Sequence, residues 1–312
     1  MKTSGIGGQA VLEGVMMKNK ENYAVAVRLD DGSIDVISHT RNKSTFRDAA
    51  QKIPIFRGVV NFVDSLVTGI TTLMDSANAL GIEDEETGEK EEIGKGELAG
   101  TVAFSVVVAV VVFMLLPYWL SLVFQRFVES TVALSLIEGV IRVAVFLVYI
   151  IAISRLEDIN RVFMYHGAEH KCINCIEHGN VLDVEHVRAS SRFHKRCGTS
   201  FLLIVMVVSI FVFACITVDS LILRMVFRVL LVPVVAGVSY EFIRFAGRSE
   251  NPVINLLSRP GLCLQHLTTR EPDDSMIEVG IASVEAVFDW RAFLEESFGV
   301  RTENDESRGN CD

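Results

Sequence analysis

Long apolar blocks separated by polar connections are the first pattern in the sequence. The blocks cover residues 101–123, 132–153, 201–218 and 221–242. A helix that crosses about 30 Å of hydrocarbon needs about 20 mostly apolar residues, a length that each block reaches or approaches. The pattern therefore predicts a mainly α, polytopic helical membrane protein with about four transmembrane helices.

The first 82 residues follow a different pattern, with features of strands and of an amphipathic helix. Alternating side chains on both sides of Asp30-Asp31-Gly32 predict a β-hairpin over residues 23–36, because Asp-Gly supplies the positive φ of a tight turn. The glycine-rich residues 5–17 are typical of a loop or short strand. Residues 59–80 have apolar side chains at helical spacing, which fits a membrane surface or a partner helix better than a full span. We expect a small α+β cytoplasmic part.

Changes in composition divide the chain into four parts. An N-terminal segment, residues 1–82, precedes an acidic linker, residues 83–97, whose Glu, Asp, Lys and Gly cannot form a core. The four-span membrane domain covers residues 98–246 and includes a polar central connection, residues 154–199. In the C-terminal segment, residues 247–312, we expect an Asp N-cap to start a helix with one apolar stripe.

Basic residues in the connections set the expected orientation. The central connection holds seven of them: Arg155, Arg161, Lys171, Arg188, Arg192, Lys195 and Arg196. The connection after the first block holds only Arg126. Because cytoplasmic loops are enriched in Lys and Arg, we expect the central connection in the cytoplasm. An even number of spans then places both termini there too, with the spans in the inner (cytoplasmic) membrane.

The overall composition agrees with a membrane protein and argues against a nucleic-acid partner. Half of the residues (50%) are hydrophobic, and the mean hydropathy is +0.38. The formal charge of −10 provides no net basic surface for phosphates. The six cysteines are scattered, which favours reduced thiols over a disulfide framework. Cys172 and Cys175 have the spacing of redox or zinc sites but lack a thioredoxin-like context, so a specific role is not expected.

Two histidines four residues apart mark the middle of the central connection. Residues 155–177 contain no Pro, so we expect them to continue the second span as a helix. On this helix His166 and His170 share one face, at the spacing by which two imidazoles bind one cation. Glu169 borders that face and is the candidate general base. The motif predicts a divalent metal site, with zinc as the first candidate.

The third metal ligand stays open among several residues. His-x-x-Glu-His is the inverted zinc-peptidase order, whose third ligand is a carboxylate far downstream, and Glu241 in the fourth block fits that position. Glu177 lies on the same helical face as the histidines, and His194 and Cys197 follow in the same connection. Taken alone, the motif fits a solvated polar helix face equally well.

Four separate motifs resemble the bacterial DUF1385 family, also called the YqhQ family. They are Gly7-Gly8-Gln9-Ala10-Val11-Leu12-Glu13-Gly14-Val15-Met16-Met17, Tyr165-His166-Gly167-Ala168-Glu169-His170-Lys171, Arg196-Cys197-Gly198-Thr199-Ser200-Phe201 and Leu267-Thr268-Thr269-Arg270-Glu271-Pro272-Asp273-Asp274. The resemblance implies a metal-dependent enzyme of the membrane without naming a substrate. It also implies these site candidates: Gln9, Glu13, His166, Glu169, His170, Cys197, Glu241 and Arg270.

Two functions are therefore expected. The first is an integral membrane protein with a cytoplasm-facing metal site that performs metal-dependent hydrolysis at the membrane surface. The alternative is a non-catalytic membrane scaffold, or a partner subunit of a membrane complex, in which the polar motifs hold the cytoplasmic elements together. The expected partners are the lipid bilayer, other membrane proteins and a second copy of the chain. A transporter is less favoured, since the sequence shows no inverted repeat or pair of broken helices.

Overall fold

The protein combines a small antiparallel sheet, packed between helices, with a group of long apolar helices. The computed structural model describes residues 2–41, 45–81, 95–216, 218, 220–246 and 251–300. Most of the expected acidic linker and the last residues of the chain, 301–312, lie outside these described residues.

Four strands form one sheet in the order β1-β2-β3-β4, and every neighbouring pair is antiparallel. They are β1 (Gly7–Val11), β2 (Gly14–Asn19), β3 (Asn22–Arg28) and β4 (Ile34–Thr40). The predicted hairpin is confirmed as β3 and β4, and Gly32 has the positive φ (84°) that the turn requires. The glycine-rich N-terminal motif forms the hairpin of β1 and β2.

Twelve α-helices lie in the described part of the chain. They are α1 (Thr45–Ala50), α2 (Phe56–Leu80), α3 (Lys95–Val110), α4 (Leu116–Ser121), α5 (Thr131–Ile153), α6 (Glu157–Glu177), α7 (Val184–Ala189), α8 (Gly198–Ala214), α9 (Leu221–Ala246), α10 (Pro252–Thr268), α11 (Asp274–Val287) and α12 (Trp290–Phe298). A π-helical turn (Val111–Leu115) joins α3 to α4, and a 3₁₀ turn (Leu122–Arg126) follows α4. The expected Asp N-cap is Asp273, whose carboxylate accepts from the Met276 amide at the start of α11.

Both faces of the sheet are buried at its two central strands, β2 and β3. On one face Val15, Met17 and Ala26 share a core with apolar side chains of α6 and α11. On the other face Val25 and Val27 pack beneath the C-terminal end of α2. Successive residues of a strand point to opposite faces, so burial of neighbouring positions in β2 and β3 requires a helix on each side. The sheet therefore links α2 to α6, the helix that carries the two histidines.

Three helical segments within the described residues are long and apolar enough to cross a membrane: Ala99–Arg126, Thr131–Ile153 and Ile222–Ala246. They are consistent with a membrane protein. The predicted span over residues 201–218 coincides with the shorter apolar helix α8, Gly198–Ala214. The number of four spans therefore stays a prediction.

The helix of the central connection does not continue the second span, contrary to the expectation. Helix α5 ends at Ile153 and α6 begins at Glu157. The two helices are separate because Leu156 adopts an extended conformation (ψ 134°) immediately before α6. Glu157 and Asp158 then lie in the first turn, where negative side chains are favourable. Because α6 is separate from α5, it can pack against the sheet.

Three buried charged side chains connect the apolar helices. Within α5, Arg142 donates to Glu138, four residues earlier, at 2.7 Å. Arg228 of α9 adds a second guanidinium, which donates to both oxygens of the same carboxylate. Each of the three residues is at most 5% exposed.

Arg142 also binds a backbone carbonyl of the first apolar segment, one that Pro117 leaves without its helical donor. Pro117 has no N–H and cannot donate to the carbonyl four residues earlier in the chain, which is that of Phe113. Arg142 Nε donates to this carbonyl at 3.0 Å. The first apolar segment is thereby attached to α5.

We expect Glu138→Gln to destabilise the fold by about 3–5 kcal/mol, because it leaves two buried arginines without their carboxylate. The matched control is Glu278→Gln, which removes the exposed ion pair with Arg28 and should cost less than about 1 kcal/mol. Denaturant unfolding of the purified protein in detergent measures both changes. Equal, small effects of the two substitutions would contradict the structural role of the buried cluster.

Candidate metal centre

The site is built on α6, a helix that is buried on all sides over its second half. Every residue from 167 to 177 is buried. One side of the helix, with Ala168, Cys172 and Ile176, packs in the core beside the sheet and α11. The other side presents His166, His170 and further polar residues to the chain that follows α6. A polar face can be buried only when its groups are partnered, so the contacts of this face define the site.

Both imidazoles are oriented by backbone carbonyls. His166 Nδ1 donates to the Thr268 carbonyl at 2.9 Å, and His170 Nδ1 donates to the Arg192 carbonyl at 2.6 Å. A carbonyl can only accept, so in each neutral ring the proton is on Nδ1 and the lone pair is on Nε2. The two ring centroids are 4.4 Å apart. This is the arrangement that metal-ligating histidines adopt.

Cys197 completes a group of three ligand atoms. Its sulfur lies 3.2 Å from His166 Nε2, and the ligand atoms of His166, His170 and Cys197 all lie within 4.8 Å of one another. Cys197 is the N-cap of α8, where the Thr199 amide donates to the sulfur at 3.4 Å. The Thr199 hydroxyl is 3.1 Å from the same sulfur. These groups surround the sulfur with positive potential, which suits a ligating thiolate.

Polar side chains of α6 hold the segment that leads to Cys197. Lys171 Nζ donates to the carbonyls of Arg188 and Ser190, both at 2.9 Å. Asn174 Nδ2 donates to the Ser191 and Phe193 carbonyls at 2.6 and 3.0 Å. With the bond from His170, nearly every carbonyl of residues 188–193 is bound to α6. Residues 190–197, which follow α7, have no regular structure, and these bonds fix the path of their first part.

Gln265 of α10 binds the same segment from the other side. Its amide exchanges two hydrogen bonds with the backbone of His194, at 2.9 and 2.8 Å, and donates to the Ser200 hydroxyl at 3.0 Å. Gln265 is fully buried. The position of Cys197 is therefore set by α6 and α10 together.

Glu169 lies between the two histidines. Its Oε2 is 3.8 Å from His166 Nε2 and 3.9 Å from His170 Nε2. Gly8 of β1 packs directly on this side chain, since a Cβ there would lie 2.7 Å from Glu169 Cγ. Burial raises the pKa of the Glu169 carboxyl, and the opposing effects of His166 and the Gly8 amide are smaller. The carboxylate is close enough to act beside a bound ion.

A second polar layer lies behind His170. The rings of His170 and His194 are 5.7 Å apart, and His194 Nε2 is 3.7 Å from Glu177 Oε2. Burial opposes ionisation of Glu177, but His194, Arg196 and Ser4 outweigh it and lower its pKa to about 2. Burial lowers the pKa of His194, which favours the neutral ring. Glu177 and His194 therefore form a polar layer beside the His170 ring.

Three buried atoms of this region have no hydrogen-bond partner among the described residues: His170 Nε2, His194 Nε2 and Glu177 Oε2. The first belongs to a candidate ligand and tests whether the centre fits a metal. His170 Nε2 is buried and has no hydrogen-bond partner among the described residues, although its ring is fixed by Arg192. A buried lone pair without a partner is unfavourable unless something binds it. Two imidazoles and a thiolate are ligands that zinc prefers, with bonds of about 2.0–2.3 Å. The residues present fit a divalent transition metal.

Several candidate residues lie outside the group of three ligands. Glu241 is not brought to the histidines: its carboxylate pairs with Arg57 of α2. It was one candidate for the third ligand because the inverted zinc-peptidase order has a carboxylate far downstream, but α2 packs at this end of α9 and supplies a cation. Arg270 donates from its side chain to the His266 carbonyl at 2.8 Å, and its backbone amide donates to the Phe163 carbonyl at 2.8 Å.

The N-terminal candidates support α6 from the outside. Glu13 forms an ion pair with Arg161, and the Tyr165 hydroxyl donates to the same carboxylate at 3.2 Å. Gln9 lies against Gly69 of α2, since a Cβ there would be 2.8 Å from Gln9 Oε1. Neither residue belongs to the group of three ligands, and Gly8 is the residue of β1 that packs on Glu169.

The two cysteines of α6 are packing residues. Burial raises the pKa of Cys172 well above its usual value, and that of Cys175 to about 11. Cys172 packs against Gly280 of α11, where a Cβ would lie 2.9 Å from its sulfur. These thiols are protonated and inert at neutral pH.

Some contributors to the site were missed because they act through the backbone. The carbonyls of Thr268 and Arg192 fix the imidazoles. Every residue has a backbone carbonyl, so the residue type does not reveal which carbonyls bind the histidines. The Gly8 amide, which also interacts with Glu169, is of the same kind.

Comparison with known proteins assigns the family. Residues 53–290 match the family described as "Protein of unknown function (DUF1385)". The chain belongs to the DUF1385 family. It is also 37% identical over 300 residues to a protein of Bacillus subtilis (strain 168) described as "Uncharacterized protein YqhQ", a match that covers 93% of this chain and 94% of the relative. A comparison with solved structures found no match. The DUF1385 assignment confirms the resemblance, while neither description names an activity or a cofactor.

Proposed function

We propose that this DUF1385 protein binds one divalent transition metal ion, such as Zn²⁺, through His166 Nε2, His170 Nε2 and Cys197 Sγ. The observation that carries the proposal is the buried His170 Nε2, which lacks a partner while its ring is fixed and two further ligand atoms lie beside it. Ligands that are already oriented by hydrogen bonds are the usual companion of a metal site.

The protein is proposed to be integral to the inner membrane, with four spans. Helix α8, third along the chain, is proposed as a span in addition to the three long ones: its 17 residues give about 26 Å at 1.5 Å per residue, near the lower limit of a crossing helix. Four crossings place both termini and the metal centre on one side. The seven basic residues of the central connection put that side in the cytoplasm. The lipid bilayer is then the first partner.

The proposed activity is hydrolysis at the membrane surface. A zinc ion held by His166, His170 and Cys197 supplies a Lewis acid. The chain's own groups orient the reactants: the Thr268 and Arg192 carbonyls hold the imidazoles, and Glu169 is placed to accept a proton from water. Cys197 is the N-cap of α8, so the centre lies where a span meets the cytoplasm.

The alternative is a non-catalytic scaffold or a partner subunit of a membrane complex. The depth of the site favours it, since the side chain of His170 is 1% exposed and that of His166 only 14%. In this function the ligands tie α6, α8 and α10 together and no substrate reaches them. Other membrane proteins, including a second copy of the chain, are then the partners.

Metal analysis tests the ligand set. The full-length protein, purified through a tag that binds no metal, should contain one transition-metal ion per chain by elemental mass spectrometry. His166→Ala, His170→Ala and Cys197→Ser should lose it, because each removes a ligand.

Matched controls are His186→Ala on α7 and Cys215→Ser after α8, both at exposed positions, and they should keep the metal. Wild-type protein without stoichiometric metal would reject the proposal.

Glu169→Gln separates the two functions. The variant should retain the metal, because Glu169 is outside the group of three ligands. If the site is hydrolytic, the variant should fail to replace the wild-type gene in a deletion strain, since an amide cannot accept the proton. Full complementation by a metal-loaded Glu169→Gln protein would instead favour the scaffold.

Reporter fusions test the orientation. A fluorescent protein fused after Gly179 should fluoresce, because this reporter folds on the cytoplasmic side. Alkaline phosphatase fused after Phe127, in the connection that follows the first span, should be active outside the cytoplasm. The reverse pattern at both positions would invert the proposed topology.

A further inference from the structure

Helix α2 has the reverse of the polarity expected for a helix on a protein in water. Its buried residues include small or polar ones: Gly58, Thr68, Thr72 and Ser76. Its opposite face carries large apolar side chains that are between 36% and 56% exposed: Val63, Leu66, Val67, Ile70 and Leu73. These five positions follow helical spacing and form one continuous stripe, which we call the α2 stripe.

The long apolar helices show the same reversal. Helix α5 buries Glu138 and Arg142 and exposes Val140 and Val148. Helix α9 buries Arg228 and exposes apolar side chains around it. A shared pattern of polar side chains inside and apolar side chains outside indicates a shared apolar surrounding.

All three charged side chains of α2 are engaged by neighbouring elements. Arg57 pairs with Glu241 of α9, and Asp64 pairs with Arg41. The Asp75 carboxylate lies 3.0 Å from His39 Nε2 of β4. A helix that contacts hydrocarbon must neutralise its charges in this way, whereas a helix surface in water has no such need.

Helix α2 packs against a segment proposed to cross the membrane. Gly58 packs on Gly237 of α9, where a Cβ would lie only 2.8 Å from the Gly237 Cα. Gly237 is well inside the apolar segment Ile222–Ala246. The ring of Phe62 also contacts that of Phe201 in the first turn of α8, with centroids 5.8 Å apart. The two backbones therefore meet at a depth where α9 itself is apolar.

We infer that the α2 stripe is a lipid-contact surface: α2 is a membrane-embedded helix that packs beside α9 without crossing the bilayer, and acyl chains cover the stripe. The sequence left a membrane surface and a partner helix equally open, and the direction in which the apolar side chains point favours lipid. The inference rests on the membrane part of the proposed function and is independent of the metal.

The embedded helix brings the bilayer close to the candidate metal centre. On the inner side of α2, Gly69 contacts Gln9 of β1. The neighbouring Gly8 packs on Glu169. A single strand therefore separates the helix that contacts lipid from the carboxylate of the site.

Photo-crosslinking in vesicles tests the lipid contact. The full-length protein with benzoylphenylalanine at position 67 is reconstituted in vesicles of phosphatidylethanolamine and phosphatidylglycerol, irradiated and analysed by mass spectrometry. Position 67 should form adducts with lipid acyl chains, as should position 230, where Leu230 of α9 is 65% exposed. Position 35, an exposed aspartate of β4, is the matched control and should form none.

The outcomes separate this inference from the proposed membrane topology. Lipid adducts at position 230 but none at position 67 would overturn the inference and leave the spans intact. A crosslink from position 67 to a second copy of the chain would overturn it in favour of a protein partner. An absence of lipid adducts at both positions would reject the inference together with the membrane assignment.

Discussion

The site depends on one constraint: an irregular segment lies over a buried helix, and its carbonyls need donors. Helix α6 supplies them from His170, Lys171 and Asn174, which bind the carbonyl of Arg188 at the end of α7 and those of residues 190–193. The same bonds have a second effect, because the one to Arg192 leaves the His170 lone pair on Nε2. The segment then ends at Cys197, opposite His166. The same hydrogen bonds therefore satisfy the backbone carbonyls and help to orient the candidate ligands.

Reversed polarity is the second organising feature of the molecule. Apolar side chains of α2, α5 and α9 face outwards, while charged and small residues meet between the helices. Glu138 holds two arginines, and Pro117 leaves a carbonyl that one of them binds. In water such an arrangement would leave large apolar surfaces exposed, but in a bilayer it hides the polar groups. The candidate metal centre lies where this region meets the sheet.

Periodicity and turn chemistry predicted the hairpin, the amphipathic α2, the long apolar helices and the start of α11. The pairing of His166 with His170 also followed from helical spacing, and Cys197 was among the candidate ligands. The third ligand could not be chosen from the sequence, since Glu241, His194 and Cys197 were equally permitted by topology. That choice depends on where the 188–194 segment runs, which is fixed by bonds to carbonyls that any residue can provide. Glu241 instead forms an ion pair with Arg57 of α2, and no local sequence pattern predicts this long-range contact.

Two imidazoles and one thiolate are proposed to bind the same ion. Optical spectroscopy of the Co²⁺-substituted, full-length protein tests this directly, because a cobalt–thiolate bond produces charge-transfer absorption in the near ultraviolet. We expect this absorption together with the intense visible bands of a tetrahedral site, and its loss in Cys197→Ser but not in Cys215→Ser. Stoichiometric cobalt binding without the thiolate absorption, or with absorption unchanged in Cys197→Ser, would contradict the proposed centre.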